Sequence, residues 1–243
     1  NDVVEAFRPV PYFVGSPKMV KLLGGVPVTP VWGAETGFRL TPAELEAAIT
    51  PRTKWVFLDM PGNPSGAVYS RDQLQELGAV LARHPQVLIL SDEIYEHIVF
   101  DGSNFVSFGK ACPGLRDRTL IVNGVAKAYA MTGWRVGYSA GPAPLLKAMN
   151  TVQSQSVTPV AAPMQAAALA ALTGPQDAVG RMRDEYAARR AQVMTALAGI
   201  PRVRVLAPDL RGHGRSSWDP PWGVEQHIDD LVATLDAEGI GRA

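Results

Sequence analysis

Residues 119–138 form the most informative stretch of the chain, and they read Thr-Leu-Ile-Val-Asn-Gly-Val-Ala-Lys-Ala-Tyr-Ala-Met-Thr-Gly-Trp-Arg-Val-Gly-Tyr. The stretch begins with a short apolar segment typical of a buried strand, and Lys127 follows shortly after it. Arg135 stands eight residues further on, in a Gly-Trp-Arg turn. A lysine amine can condense with an aldehyde, and a guanidinium can hold a phosphate through two parallel hydrogen bonds. The spacing therefore indicates a site for a ligand that carries both groups.

Short apolar strands alternate with amphipathic helices on both sides of this stretch. Near-continuous apolar strands separated by helices predict an α/β fold, a mostly parallel sheet sandwiched by helices. In such sheets ligands bind at the carboxyl ends of the strands. The predicted strands are Val26–Val31, Trp55–Leu58, Val87–Leu90 and Leu120–Val122.

The sequence also indicates where several helices begin and which segments have helical periodicity. Thr41 with Glu44, and Ser70 with Gln73, have the spacing of capping boxes, which predicts helices beginning at these points. After residue 140 the pattern becomes mainly helical. The predicted helices there are Pro144–Val152, Pro163–Leu172 and about Asp177–Leu197, and apolar residues three, four or seven apart predict that the last one buries one face.

Composition excludes several classes of protein. The chain has 243 residues, 47% hydrophobic and 19% charged, which is globular composition with room for a sizeable core. The 23 basic and 23 acidic residues balance, so nothing favours a nucleic-acid or anionic-membrane partner. The single Cys112 gives neither an intramolecular disulfide nor zinc-ligand spacing. With no signal-peptide pattern and no apolar run near the roughly 20 residues of a membrane span, we expect a cytoplasmic protein.

Three further polar residues follow strand ends. Asp92 comes directly after the apolar run that ends in Ser91, Tyr95 follows three residues later, and Asn63 lies in a Pro-Gly-Asn-Pro loop. A carboxylate in such a position needs a partner, because burying an unpaired charge costs roughly several kcal/mol of folding free energy. Taken singly, Asp92 is better explained as a turn residue and Tyr95 as part of the core. The combination with Lys127 and Arg135 is what predicts a site.

The motifs resemble those of the class I and II aminotransferases, which depend on pyridoxal phosphate and have fold type I, and most closely the aspartate and aromatic branch. Residues 61–69 (Pro-Gly-Asn-Pro-Ser-Gly-Ala-Val-Tyr) resemble the family's Asn-Pro-Thr-Gly loop. Residues 91–96 (Ser-Asp-Glu-Ile-Tyr-Glu) match its Asp-Glu-x-Tyr segment, and residues 123–133 match its lysine loop. The order and spacing of the three agree, and the resemblance covers about residues 2–205.

The resemblance implies a role for each site residue. Lys127 is the catalytic residue, which holds the cofactor covalently and transfers a proton. Asp92 pairs with the ring nitrogen, whereas Asn63 and Tyr95 donate hydrogen bonds to the phenolate oxygen. Arg135 binds the phosphate. Phe13 matches the aromatic residue that stacks on the ring, although an aromatic in a proline-rich loop is explained equally well by packing. Ala126 replaces a serine that contacts the phosphate in many members.

The resemblance also implies a reaction and partners. The substrates are an amino acid, aspartate or an aromatic one, and 2-oxoglutarate, and family members are homodimers with the site at the interface. Two alternatives stay open. One is a non-catalytic fragment that binds pyridoxal phosphate, and the other is a different fold type I reaction, a lyase or a decarboxylase.

The resemblance changes near residue 203. The run Val-Leu-Ala-Pro-Asp-Leu-Arg-Gly-His-Gly-Arg-Ser at residues 205–216, with the helix expected at about Val224–Ala237, resembles a fragment of the α/β-hydrolases at about 203–243. Because residues 203–243 contain no Gly-x-Ser-x-Gly nucleophile motif, Asp209 and His213 have no nucleophile to serve within the hydrolase-like fragment, and hydrolase activity is not expected.

Three segments are therefore predicted. Residues 1–175 form a partial cofactor-binding large domain, residues 176–205 form a linking helix and the start of a small domain, and residues 206–243 form the hydrolase-like tail of strand, loop and helix. The family's phosphate-cradling upstream segment and its carboxylate-binding small domain are not found, so we expect impaired activity.

Overall fold

A computed structural model of the chain describes residues 5–7, 15–30, 36–198, 200, 228–230 and 232–233. Contacts group the chain into two units, Asn1–Ala191 and Gln192–Ala243. Phe13 and most of the predicted tail, including its strand and the residues Asp209 and His213, lie outside the described residues. Residues 228–230 and 232–233, within the predicted tail helix, are helical.

The described residues form a six-stranded sheet with the order β2-β1-β3-β4-β5-β6. Neighbouring strands from β2 to β5 are parallel, and β6 runs antiparallel to β5. This confirms the predicted α/β class with a mostly parallel sheet. The strands are β1 (Glu5–Phe7), β2 (Val26–Val28), β3 (Thr53–Asp59), β4 (Leu88–Asp92), β5 (Thr119–Gly124) and β6 (Gly137–Ala140).

Helices connect the strands, and two of them begin at the predicted caps. The Thr41 hydroxyl accepts a hydrogen bond from the Glu44 amide while the Glu44 carboxylate accepts from the Thr41 amide, and Ser70 and Gln73 repeat the arrangement. The helices are α1 (Gly15–Leu22), α2 (Pro42–Ala48), α3 (Arg71–Ala82), α4 (Phe108–Ala111), α5 (Ala143–Ser156), α6 (Ala162–Thr173) and α7 (Asp177–Ala198). No helix among the described residues is long and apolar enough to cross a membrane.

The main core packs α2, α3 and α4 against one face of the central strands. Val56 and Leu58 alternate along β3 and point to the same face, where they meet the buried side of α3. Truncating Leu58 to alanine costs about 2–5 kcal/mol of unfolding free energy. Fully buried members of this cluster are Leu45, Val56, Leu74, Leu77, Leu81, Val87, Ile89 and Phe108. The core thus holds β3 and β4 in place, two of the strands whose ends carry the candidate site.

The later helices are exposed, in contrast to the prediction for α7. Val179 and Met182 are half-buried, whereas Tyr186 is 44% exposed and Val193 is 57% exposed. The expectation that this helix buries one face in the described part of the chain is therefore wrong. Periodicity identifies an apolar stripe, but it does not specify whether a partner for the stripe is present.

Candidate cofactor site

The ends of three parallel strands meet at one edge of the sheet. Asp59, the last residue of β3, is in register with Asp92, the last residue of β4, which is in register with Val122 of β5. The backbone amide of Met60 donates to the carbonyl of Asp92 at 3.0 Å, so the chain stays tied to β4 beyond the end of β3. The polar residues that follow these strands are therefore brought to one place.

The loop after β3 is closed by its own hydrogen bonds. The amide of Gly62 donates to the carbonyl of Ala67 at 3.0 Å, and the amide of Asn63 donates to Oδ2 of Asp59 at 3.1 Å. The two peptide bonds that precede proline in this loop are cis. The loop aims the side chain of Asn63 at the next strand, where its Nδ2 lies 3.4 Å from the hydroxyl oxygen of Tyr95.

The turn after β4 is fixed by carboxylates. Oδ1 of the half-buried Asp92 accepts a hydrogen bond from the amide of Ile94 at 3.2 Å, a local arrangement that ends the strand. This is the role a lone aspartate most often has after a strand. Tyr95, half-buried, stands on the same turn.

Glu93 anchors this turn to the core. Its side chain is only 2% exposed, and its Oε1 accepts hydrogen bonds from Ser91 Oγ at 2.8 Å, Ser107 Oγ at 3.0 Å and the amide of Phe108 at 3.0 Å. Burial raises the pKa of this carboxyl above its ordinary value, although the three hydrogen bonds oppose the shift. The end of β4 is thereby locked to the start of α4.

The loop that carries Lys127 leaves β5 through a crowded point. A Cβ added to Gly124 would lie 2.9 Å from the carbonyl oxygen of Val136 and 3.2 Å from Cα of Gly137, both of them backbone atoms. Lys127 is half-buried, and its Nζ lies 5.8 Å from the centroid of the Tyr95 ring, within the range of a cation–π contact.

Among the sequence-predicted residues, the structure thus brings Asn63, Tyr95 and Lys127 into contact distance, with Asp92 at the end of the strand between them. Arg135 is exposed and left-handed in its backbone (φ 56°), and its Nη1 donates to the carbonyl of Thr132 at 3.1 Å in the same turn.

A cavity of about 460 Å³ lies beside this group. Asn63 and Tyr95 line it together with the rest of the loop after β3 and residues 98–101, whereas Lys127 and Asp92 do not. On its far side, the guanidinium of Arg190 pairs with Asp101 at 3.0 Å and lies 5.9 Å from the centroid of the Phe100 ring. The sequence did not predict the contact of Arg190 with Asp101 and Phe100, because the residues that meet there are about 90 positions apart and no local pattern indicates such a contact.

A second set of contacts was also missed. Nδ2 of Asn123 donates to Oε1 of Glu96 at 2.7 Å, and the rings of His97 and Tyr129 meet edge to face at 6.1 Å. Glu96 and Asn123 both lie inside the aminotransferase-like motifs, at residues 91–96 and 123–133. The signal that could have found them is the position of a charged residue directly after Tyr95 and a polar one at the end of β5.

The grouped side chains fit the cofactor that the resemblance implies. Pyridoxal phosphate carries an aldehyde beside a phenolate oxygen and a ring nitrogen across from it. The amine of Lys127 next to a phenol and an amide is the donor set that an aldehyde and a neighbouring oxygen anion require. The carboxylate of Asp92, at the end of the middle strand, is of the right charge for a protonated ring nitrogen. The residues present therefore fit this group.

Comparison with known proteins gives the family of the chain. Residues 4–211 match the family described as aminotransferase class I and II. The aspartate/prephenate aminotransferase of Cereibacter sphaeroides is 53% identical over 197 residues, which is 81% of this chain and 49% of the relative. The aspartate aminotransferase of Rhizobium meliloti is 48% identical over 205 residues, 84% of this chain and 50% of the relative.

Solved structures give the same result. The crystal structure of the Rhizobium meliloti aspartate aminotransferase superposes with a TM-score of 0.80 at 48% identity, covering 82% of this chain and 50% of that one. The aromatic aminotransferase of Pyrococcus horikoshii superposes with a TM-score of 0.78 at 36% identity, covering 84% and 55%. The chain spans about half the length of the curated relatives it matches. By sequence and by fold, the chain belongs to the class I and II aminotransferase family.

Proposed function

We propose that this chain carries the cofactor-binding part of a pyridoxal-phosphate-dependent aminotransferase, which moves the amino group of an amino acid to a 2-oxo acid. The observation that supports the proposal most is the grouping of Lys127 with Tyr95 and Asn63 at the ends of three adjacent strands. An amine, a phenol and an amide converge there from loops that are far apart in sequence.

The residues have distinct tasks in this proposal. When bound, pyridoxal phosphate supplies an electron sink that stabilises negative charge at the α-carbon of the substrate. The Nζ of Lys127 would hold the cofactor and, once the substrate amine has replaced it there, would accept a proton from that carbon and return one to the cofactor. Asn63 Nδ2 and Tyr95 OH donate hydrogen bonds to the phenolate oxygen, and the Asp92 carboxylate keeps the ring nitrogen protonated.

Two further residues complete the proposed site. The guanidinium of Arg135 binds the phosphate, for which its fork of donors is suited. In the structure this group bonds within its own turn, so the proposal requires it to exchange that carbonyl for the phosphate. Phe13, outside the described residues, is proposed by resemblance to stack on the ring.

Aspartate is the favoured amino donor, with an aromatic amino acid second and 2-oxoglutarate as the acceptor. The names of the relatives support this choice, since they include aspartate, aspartate/prephenate and aromatic aminotransferases. A homodimer with a shared site and a cytoplasmic location stay predictions, as do the three-segment division and the α/β-hydrolase-like origin of residues 203–243.

Titration of the full chain with pyridoxal phosphate, followed by visible absorption, tests the proposal. We expect a visible band that is absent from Lys127→Ala. Adding L-aspartate and 2-oxoglutarate should give little turnover, because the chain spans only half the length of the relatives. A wild-type chain without the band, or a Lys127→Ala chain that keeps it, contradicts the proposed site.

The product analysis separates the alternatives. A band with no reaction supports a non-catalytic cofactor-binding fragment. Release of carbon dioxide or of ammonia, rather than transfer of the amino group to 2-oxoglutarate, favours a decarboxylase or a lyase. Strong transfer activity contradicts the expected impairment and leaves the aminotransferase assignment standing.

A further inference from the structure

Three consecutive residues in the turn after β4 each contact one residue of the segment that carries Lys127. The ring of Tyr95 lies under Nζ of Lys127, at 5.8 Å from the ring centroid. The next residue, Glu96, accepts a hydrogen bond from Asn123, four positions before the lysine. The third residue, His97, packs edge to face on Tyr129, two positions after the lysine. The lysine is therefore flanked on both sides by contacts to one short turn.

The hydrogen bond between Glu96 and Asn123 is the strongest of the three contacts. Its length of 2.7 Å and its charged acceptor place it among charge-assisted hydrogen bonds. Asn123 is only 7% exposed, and its Oδ1 accepts from the amide of Gly124 at 2.7 Å, so the amide group is engaged at both ends. Leaving a buried amide without its hydrogen-bond partner costs folding free energy. The bond therefore fixes the position of the Asn123 side chain near the end of β5.

The turn itself is firmly held. The backbone amide of Glu96 donates to the carbonyl of Glu93 at 2.9 Å, and the buried Glu93 side chain locks the turn to α4. The Glu93 amide also donates to the carbonyl of Val122 at 2.9 Å. Glu96 therefore projects from a rigid support, whereas the segment after Gly124 is a loop. The hydrogen bond from Asn123 to Glu96 ties the strand that precedes this loop to the turn.

We propose that Glu96 is a positioning residue, which sets the place of Lys127 relative to Tyr95 through its hydrogen bond to Asn123. The inference rests on the proposed function, because it assigns to Glu96 the task of presenting the amine to the cofactor. Glu96 does not touch the cofactor in this account, and it acts through the backbone between residues 123 and 127.

A competing explanation is that Glu96 acts through its charge. The carboxylate lies close enough to Tyr129 and Tyr138 that it adds to burial in raising the pKa of both phenols. The two explanations differ in what they require of the side chain. Positioning requires an acceptor oxygen at the right reach, which glutamine supplies without charge, whereas a charge effect requires a carboxylate, which aspartate supplies at shorter reach.

The experiment compares Glu96→Gln, Glu96→Asp, Glu96→Ala and Asn123→Ala in the full chain. The matched control is Glu46→Ala. Oε1 of Glu96 lies 3.4 Å from His97 Nε2, and Glu46 likewise pairs with a histidine, at 2.9 Å from His84 Nε2, but on α2 and outside the site. Cofactor affinity is measured by the visible band, and amide hydrogen exchange of residues 123–130 is measured in the cofactor-free protein.

We expect Glu96→Ala, Glu96→Asp and Asn123→Ala each to weaken pyridoxal phosphate binding about tenfold, the effect of losing one charge-assisted hydrogen bond. Exchange in residues 123–130 should rise in the same variants. Glu96→Gln and the control should stay within about twofold of wild type, which is the scale of a surface substitution. The double variant Glu96→Ala/Asn123→Ala should be no weaker than either single variant, because both remove the same bond.

Two results overturn the inference. One is that Glu96→Gln binds pyridoxal phosphate as weakly as Glu96→Ala does while Glu96→Asp binds it normally, since that pattern indicates that the charge of the side chain matters. The other is unchanged exchange in residues 123–130 in both Glu96→Ala and Asn123→Ala. If wild type forms no visible band, the proposed function fails by itself, and the exchange measurement still decides whether Glu96 holds the lysine loop.

Discussion

The Nζ atom of Lys127 lies 5.8 Å from the centroid of the Tyr95 ring, so the loop after β5 and the turn after β4 meet at the carboxyl edge of the sheet. Asn63 approaches the same tyrosine from the loop after β3, with its Nδ2 3.4 Å from the hydroxyl oxygen. Three loops separated by about 30 residues each thus converge on one phenol, and this convergence places an amine beside two hydrogen-bond donors.

Replacement of Lys127 should separate chemistry from folding. We expect Lys127→Ala to abolish the visible band with pyridoxal phosphate while changing the free energy of unfolding by at most about 1 kcal/mol, the size of one cation–π contact. Absorption titration and denaturant unfolding measure the two quantities. Lys110→Ala, at an exposed position on α4, is the control and should keep the band. Equal loss in both variants contradicts a specific role for Lys127.

Tyr95→Phe tests the hydroxyl separately from the ring. The variant keeps the aromatic face under Lys127 but removes the donor proposed for the phenolate oxygen. We expect the dissociation constant of pyridoxal phosphate to rise about tenfold, since a hydrogen bond to a charged group contributes about 1.5–3 kcal/mol. Tyr186→Phe removes an exposed hydroxyl from α7 and should leave binding unchanged. An unaltered constant for Tyr95→Phe excludes the proposed hydrogen bond.

The buried Glu93 should make stability depend on pH. Burial raises its pKa above the ordinary 4.5 in the folded chain, so folding favours the protonated form. The stabilising contribution is complete below the ordinary pKa and is lost as pH rises through the raised value. We therefore expect wild type to be more stable relative to Glu93→Gln near pH 4.5 than at pH 7. Denaturant unfolding of both chains at the two pH values measures this difference.

A pH-independent difference between wild type and Glu93→Gln contradicts that assignment. Glu93→Ala should behave differently from both. Ser91, Ser107 and the amide of Phe108 then lose their common acceptor, and we expect a loss of about 3 kcal/mol in unfolding free energy. This loss should be larger near pH 4.5 than at pH 7, because the variant lacks the titrating carboxyl.

Gly124 is required by close backbone contacts. Gly124→Ala puts a methyl group 2.9 Å from the carbonyl oxygen of Val136, and we expect a loss of about 2 kcal/mol in unfolding free energy, together with weaker cofactor binding. Gly114→Ala is the matched control, because an added Cβ there meets no atom within 4 Å. It should be neutral or stabilising by about 0.5 kcal/mol. Equal effects on unfolding from the two substitutions contradict the proposed crowding.

The sheet and the two capped helices could be predicted because their signals are local. The central strands are short apolar runs bounded by loops, and Thr41 and Ser70 carry their capping partners three residues away. The short strands β1 and β6 were missed. β6 contains a tyrosine and a serine between small residues, and its pairing depends on β5 rather than on its own pattern.

The residues of the candidate site could likewise be predicted where their signals are local, and their long-range contacts could not. Asn63, Tyr95 and Lys127 lie in motifs, so sequence spacing was enough to propose them, and the structure adds their distances. The bond from Asn123 to Glu96 and the contact of Arg190 with Asp101 join residues 27 and 89 positions apart, which no local pattern indicates. The predicted buried face of α7 failed for a related reason, since an apolar stripe does not identify its partner.

The most direct test of the account is the site of covalent attachment. The full chain is incubated with pyridoxal phosphate, the lysine–cofactor bond is made permanent with borohydride, and the modified peptide is identified by mass spectrometry. We predict that the label falls on Lys127 at low cofactor concentration and that Glu96→Ala reduces it there. Labelling spread over exposed lysines such as Lys110, with none enriched at Lys127, contradicts the central claim.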